Sequence, residues 1–118
     1  MFTIAKQYHF SASHQLAYLP EDHPCARLHG HNYIVEVELQ SEELNHNGFV
    51  RDYRELDALK TYIDETFDHR HLNEVLGEHN ITAEQIAQHF YEWCKSRWPE
   101  VSAVRVSETP RSWAEYRP

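Results

Sequence analysis

Two histidines separated by a glycine stand at the head of a stretch that reads as a half-buried strand. After His29-Gly30-His31, apolar Tyr33, Val35, Val37 and Leu39 hold odd positions, while Asn32, Glu36, Glu38 and Gln40 hold even ones. Ile34 is the one exception. Side chains two apart share a face of a strand, so His29 and His31 point the same way, with no side chain between them. Two imidazoles then converge at the strand's start. A catalytic zinc takes three protein ligands and keeps a fourth position open, which calls for one further donor. His14 is the best placed, because it ends an earlier alternating run in which Phe2, Ile4, Tyr8, Phe10 and Ala12 share its even-numbered face. With ten histidines in 118 residues some clusters arise by chance. His9, His23, His46, His79 and His89 read as surface or supporting groups.

The rest of the chain supplies a frame for these strands. Residues 18–27, with Pro20 and Pro24 among polar neighbours, form a loop that carries Cys25. A second strand over residues 29–40 returns antiparallel to the first, and Asn47-Gly48 marks the next turn. Asp52 and Glu55 make a capping box ahead of Leu56, Leu59, Ile63 and Phe67, which predicts a helix over 53–66. Thr82 with Gln85 opens another, with Ile86, Phe90, Trp93 and Cys94 on one face, and it ends before Pro99. Cys94 is expected in the core. Residues 101–108 alternate again, with Val104, Val106 and Glu108 on one face, and the tail 111–118 can add a strand. The order strand, strand, helix, helix, strand, strand predicts an α+β fold, a four-stranded antiparallel sheet with two helices on one face. A chain of this length suits one domain spanning 1–118.

Charge narrows the possible partners. Eleven Lys and Arg against nineteen Asp and Glu give −8, which opposes nucleic-acid and anionic-membrane binding but permits a local basic pocket for a small anion. No stretch approaches the ~18 apolar residues of a membrane span, and no secretory pattern opens the sequence, so a cytoplasmic location is expected. Cys25 and Cys94 have no paired spacing, which favours reduced thiols.

Three further groups carry chemistry. Cys25, on a polar loop near a metal, is the kind of thiol whose pKa falls from about 8.5, making a base or nucleophile; a buried, inert thiol is the alternative. Asp68 and His69 adjoin one another, as in a relay that orients an imidazole for proton transfer. Histidines near a helix C-terminus are also favoured without any catalytic role, and His69 with His71 is a second potential metal pair. Glu108 ends an apolar strand face, either exposed or reaching into a pocket, where it would suit a guanidine-like edge through two parallel hydrogen bonds.

Several motifs in order resemble the 6-pyruvoyl-tetrahydropterin synthase and 6-carboxytetrahydropterin synthase family of the tunnelling fold. They are Phe10-Ser11-Ala12-Ser13-His14, Cys25-Ala26-Arg27-Leu28-His29-Gly30-His31-Asn32-Tyr33, Gly48-Phe49-Val50-Arg51-Asp52-Tyr53, Asp68-His69-Arg70-His71-Leu72-Asn73, Thr82-Ala83-Glu84 and Ser107-Glu108-Thr109. The resemblance implies zinc on His14, His29 and His31, Cys25 as general base, Asp68 and His69 as proton relay, and Glu108 as anchor of a pterin ring. It also implies a homohexamer, two stacked trimers whose sheets join into barrels. The three residues between Cys25 and His29 are similar to the bacterial 6-carboxytetrahydropterin synthases of queuosine biosynthesis. That implies a lyase turning 7,8-dihydroneopterin triphosphate into 6-carboxy-5,6,7,8-tetrahydropterin with release of acetaldehyde and triphosphate. The alternative product, 6-pyruvoyl-tetrahydropterin, keeps the side chain's carbons. Ile81 stands where the pattern has proline before Thr82, a departure expected to touch no ligand.

Two rivals make different demands. A metal-binding cupin would need glycines where His23 and Glu43 stand. A zinc-stabilised binding module without catalysis would need a closed four-ligand site, with Cys25 as fourth ligand.

Overall fold

Strand β1 (Phe2–His14) and strand β2 (His29–Ser41) are the two alternating runs, and they pair antiparallel along their whole length in the computed structural model, which describes residues 1–118. Phe2 lies opposite Ser41 and His14 opposite His29. This register puts β1's even face beside β2's odd face, so each strand's apolar half lies on the same side. The chain continues through α1 (Asp57–Thr66), β3 (Arg70–His71), α2 (Leu72–Leu76), α3 (Ala83–Lys95), β4 (Val101–Thr109) and β5 (Ser112–Tyr116). The sheet order is β3-β1-β2-β4-β5.

The fold is the expected α+β class, with one strand more than the four expected. The extra strand is β3, two residues pairing parallel with Ala12 and Ser13. A two-residue strand shows no periodicity, so the alternation could not reveal it. The tail does form a strand, β5, antiparallel to β4. The five-stranded sheet stays open in this chain, since β3 and β5 are its edges.

The helices also differ at their starts. Thr82 and Gln85 form the expected capping box, each side chain meeting the other's backbone N–H. Asp52 and Glu55 do not. The Asp52 carboxylate accepts from Arg54 N–H at 2.9 Å, Glu55 turns instead to Arg51, and residues Tyr53–Leu56 form a 3-10 turn before α1. The short α2 was not foreseen. It ends at Gly77, whose φ of 68° suits glycine as a helix terminator.

Burial follows the pattern. Leu56, Leu59, Ile63 and Phe67 meet Ile86, Phe90 and Cys94 over Tyr33, Val35, Val37 and Leu39 in one buried cluster, so Cys94 is a core residue. Phe10 anchors its centre, stacked on Tyr33 with ring centroids 5.0 Å apart and tilted against Phe67 and Phe90. Polar β2 residues on the other face meet arginines instead: Arg105 pairs with Glu36, Glu38 and Glu115, and Arg117 with Glu38 and Glu115. Burial pushes the Glu38 carboxyl up, but Ser102, Arg117 and Arg105 outweigh it and hold the group below its usual range. No helix is long and apolar enough to cross a membrane.

Candidate metal centre

His14 and His29 close the β1–β2 ladder, and His31 lies opposite Ala12, two residues in. All three side chains rise from the apolar face. Their ligating nitrogens lie within 4.8 Å of one another, and His14 Nε2 is 2.8 Å from His29 Nε2.

Hydrogen bonds fix which nitrogens face inward. His14 Nδ1 lies 2.8 Å from the Ile81 carbonyl and His29 Nδ1 lies 2.6 Å from the Arg27 carbonyl. A carbonyl only accepts, so both Nδ1 atoms carry hydrogen. In the neutral rings the two Nε2 lone pairs then confront each other, an arrangement that is repulsive until a cation lies between them. Nitrogens sharing one zinc at about 2.0–2.1 Å stand a little over 3 Å apart, within the spread seen here. The donor set therefore fits a metal ion. Backbone carbonyls orienting the rings are the usual outer support of such a site.

Electrostatics agree with neutral donors. Burial pushes the His14 imidazole down to about 4, and burial and then His29 lower His31. Tyr33 packs edge-on against both rings, and its buried hydroxyl has no hydrogen-bond partner in the chain.

Sequence reasoning missed two supports. Asn73 clamps the chain just beyond His14, its amide donating to the Gln15 carbonyl and accepting from Gln15 N–H, both at 2.9 Å. Ile81, expected to touch no ligand, holds His14 through its carbonyl, so that expectation is corrected. Neither contact has a signal in residue type, because one uses the backbone and the other a short amide in the first turn of the brief helix α2.

The other candidates divide into two places. Glu108 joins the metal cluster, with Oε2 3.8 Å from His31 Nε2. Burial raises its carboxyl, and it lines a cavity of about 290 Å³ with Glu84, Val106 and Trp113. Cys25 sits half-buried in a 3-10 turn capped by His23, and its carbonyl accepts from Leu16 N–H just past the end of β1. The compact cluster holds three imidazoles and no thiol.

Asp68 and His69 lie against the edge of β1 away from β2, and His69 lines one cavity with His31. Asp68 accepts from Ser11 N–H at 3.0 Å and His69 N–H donates to the Ser11 carbonyl. The Ser11 N–H and then His69 hold the Asp68 carboxyl below its usual range. His69 Nδ1 is 3.0 Å from Asp68 Oδ2, and His69 adopts φ of 59°, a strained conformation for a non-glycine residue. Leu16, which holds the Cys25 carbonyl, lies five positions beyond Ser11, which holds Asp68 and His69. His71 is engaged by Ser13 Oγ at 2.9 Å and forms no three-ligand cluster with His69. His89, expected near the surface, is half-buried between α1 and α3, with Nε2 2.7 Å from the Tyr62 hydroxyl.

An open α+β sheet with three converging imidazoles beside a half-buried carboxylate defines a candidate metal-site domain of a recognisable kind. A family described as 6-pyruvoyl tetrahydropterin synthase matches residues 3–118, and the chain belongs to that family, whose enzymes are lyases. It is 35% identical over 108 residues to a putative 6-carboxy-5,6,7,8-tetrahydropterin synthase of Archaeoglobus fulgidus, covering 92% of this chain and 89% of that one. It is 34% identical to the 6-carboxy-5,6,7,8-tetrahydropterin synthase of Synechocystis, covering 98% and 93%. The 6-pyruvoyl tetrahydropterin synthase structure of Caenorhabditis elegans superposes with a TM-score of 0.85 at 28% identity, covering 99% and 95%. The cupin reading falls with this fold.

Proposed function

We propose that this protein is a zinc-dependent 6-carboxy-5,6,7,8-tetrahydropterin synthase that acts on 7,8-dihydroneopterin triphosphate in queuosine biosynthesis. The observation that carries the reading is the set of three imidazoles, two with their tautomers fixed by backbone carbonyls, next to Glu108. Zinc held there would supply Lewis acidity toward a side-chain hydroxyl and the negative charge that develops on it.

The chain's own residues do the rest. Glu108 accepts from the amino-pyrimidine edge of the pterin, and its proximity to His31 sets the ring beside the metal-held side chain. Cys25 removes a proton from the side chain as general base. Asp68 fixes the His69 imidazole through Nδ1, leaving Nε2 to pass a proton to or from the substrate. The relay is supplied to Cys25 by a second copy of the chain, in a homo-oligomer proposed as a hexamer. The open edges β3 and β5 are where further strands can pair.

Breaking the bond between the first two side-chain carbons releases the outer two as acetaldehyde, triphosphate leaves from the third, and the first carbon, taking its second oxygen from one water, becomes the carboxylate while the electrons it gives up reduce the ring from the dihydro to the tetrahydro level. Incubation with 7,8-dihydroneopterin triphosphate followed by mass spectrometry tests this reading. Acetaldehyde with 6-carboxytetrahydropterin is expected. A retained three-carbon side chain would make the protein a pyruvoyl synthase, and no reaction would return the non-catalytic zinc module to first place.

A further inference from the structure

A cavity of about 500 Å³ opens where β3 joins the end of β1, walled by Ser11, Ser13, His31 of the metal cluster, His69, Arg70 and His71 among others, and no carboxylate lines it. In a chain with nineteen acids that absence matters. Arg70 is paired with no acid: its Nη2 donates to the Glu65 backbone carbonyl at 3.1 Å, which leaves its full charge and other N–H groups for a ligand. Two hydroxyls stand nearby, Ser13 Oγ at 2.9 Å from His71 Nδ1 and Ser11 Oγ at 2.7 Å from Asn32 Oδ1. A basic, hydroxyl-lined, acid-free hollow suits an oxyanion.

We propose that this cavity binds the triphosphate of the substrate, with Arg70 as its anchoring cation and Ser13 and His71 as further hydrogen-bond donors. The assignment rests on the pterin triphosphate reading above and adds the residues that hold the leaving group. His69 links the two. Wherever its imidazole exchanges a proton with the side chain, the phosphate ester is only a few bonds further along the same chain of carbons. Arg70 follows His69 directly in sequence and shares its cavity. The argument therefore holds whichever copy supplies the metal. Arg70 on β3 pairs with Ala12 through the backbone, so its stem is fixed to the sheet while its head stays free to fold over phosphate oxygens.

The test is calorimetric titration of the zinc-loaded protein with inorganic tripolyphosphate, which requires no turnover. Arg70→Ala is expected to weaken binding roughly tenfold or more, Arg70→Lys to restore part of it, and Ser13→Ala to weaken it less. Zinc content stays at the parent value in each. Arg54, whose side chain is 87% exposed, provides the electrostatic control, and Arg54→Ala should leave affinity unchanged. The same dependence on Arg70 should persist in metal-stripped protein, which keeps His31 in the cavity wall and separates this cavity from direct capture of polyphosphate by metal. Parent-like affinity in Arg70→Ala, or an equal loss in Arg54→Ala, would overturn the assignment. Failure of the pterin triphosphate to react while tripolyphosphate binding still depends on Arg70 would remove the lyase reading and leave the oxyanion site standing.

Discussion

At His14 and His29 the backbone does work that residue type does not announce. The Ile81 and Arg27 carbonyls fix the tautomers, and the two Nε2 atoms meet at 2.8 Å. One zinc per chain is expected by elemental analysis, and the His29→Ala, His31→Ala protein should lose it; stoichiometric zinc in that variant would remove the assignment. Cys25→Ala should keep its zinc and lose turnover, since the cluster is complete without the thiol. Loss of metal there would favour the structural module. For Glu108, 3.8 Å from His31, replacement by Gln should weaken pterin binding by about tenfold with metal content unchanged. Equal affinity in a binding titration would show a carboxylate that does not touch the ring.

Among the elements, α3 has the most local determination. Its Thr82–Gln85 box is worth about 1 kcal/mol, so Thr82→Ala should lower unfolding stability by that amount in denaturant titration. The facing pair of Tyr62 on α1 and His89 on α3 gives a pH effect. Burial lowers the His89 pKa, so the unfolded chain binds the proton more readily and stability rises with pH. The contribution is whole above the unfolded value of roughly 6.5 and is lost as pH falls below it toward the lower folded value. His89→Phe should flatten the stability profile on that acidic side, measured against the parent protein, and an unchanged slope would contradict it. The same level shows what the sequence could reveal. The long strands and both main helices follow from period and capping, and His29-Gly30-His31 with His14 follows from the strand register. Strand β3, helix α2 and the 3-10 entry to α1 are too short to carry a period. Asp52 and Glu55 had the letters of a capping box, but Arg51 and Arg54 took their carboxylates. Ile81 and Asn73 act through a backbone carbonyl and an amide in the first turn of α2, which a pattern of side-chain types does not register.

In the whole molecule, Cys25 and the Asp68–His69 pair are anchored at different points along β1 and its exit, and that division has a consequence for assembly. If one copy supplies the thiol and its neighbour the relay, mixing unfolded Cys25→Ala and His69→Ala chains and refolding them together should regain a fraction of parent activity that neither variant shows alone. No recovery would place both groups in one chain's site. The central claim is that three imidazoles hold the metal that makes this fold a carbon–carbon lyase. It is tested most directly by following acetaldehyde release from 7,8-dihydroneopterin triphosphate while zinc is added back to metal-stripped protein. Activity is expected to rise linearly and level off at one zinc per chain in the parent, and to stay at background in the His29→Ala, His31→Ala protein. Full acetaldehyde release from stripped protein, or from that variant, would contradict the account.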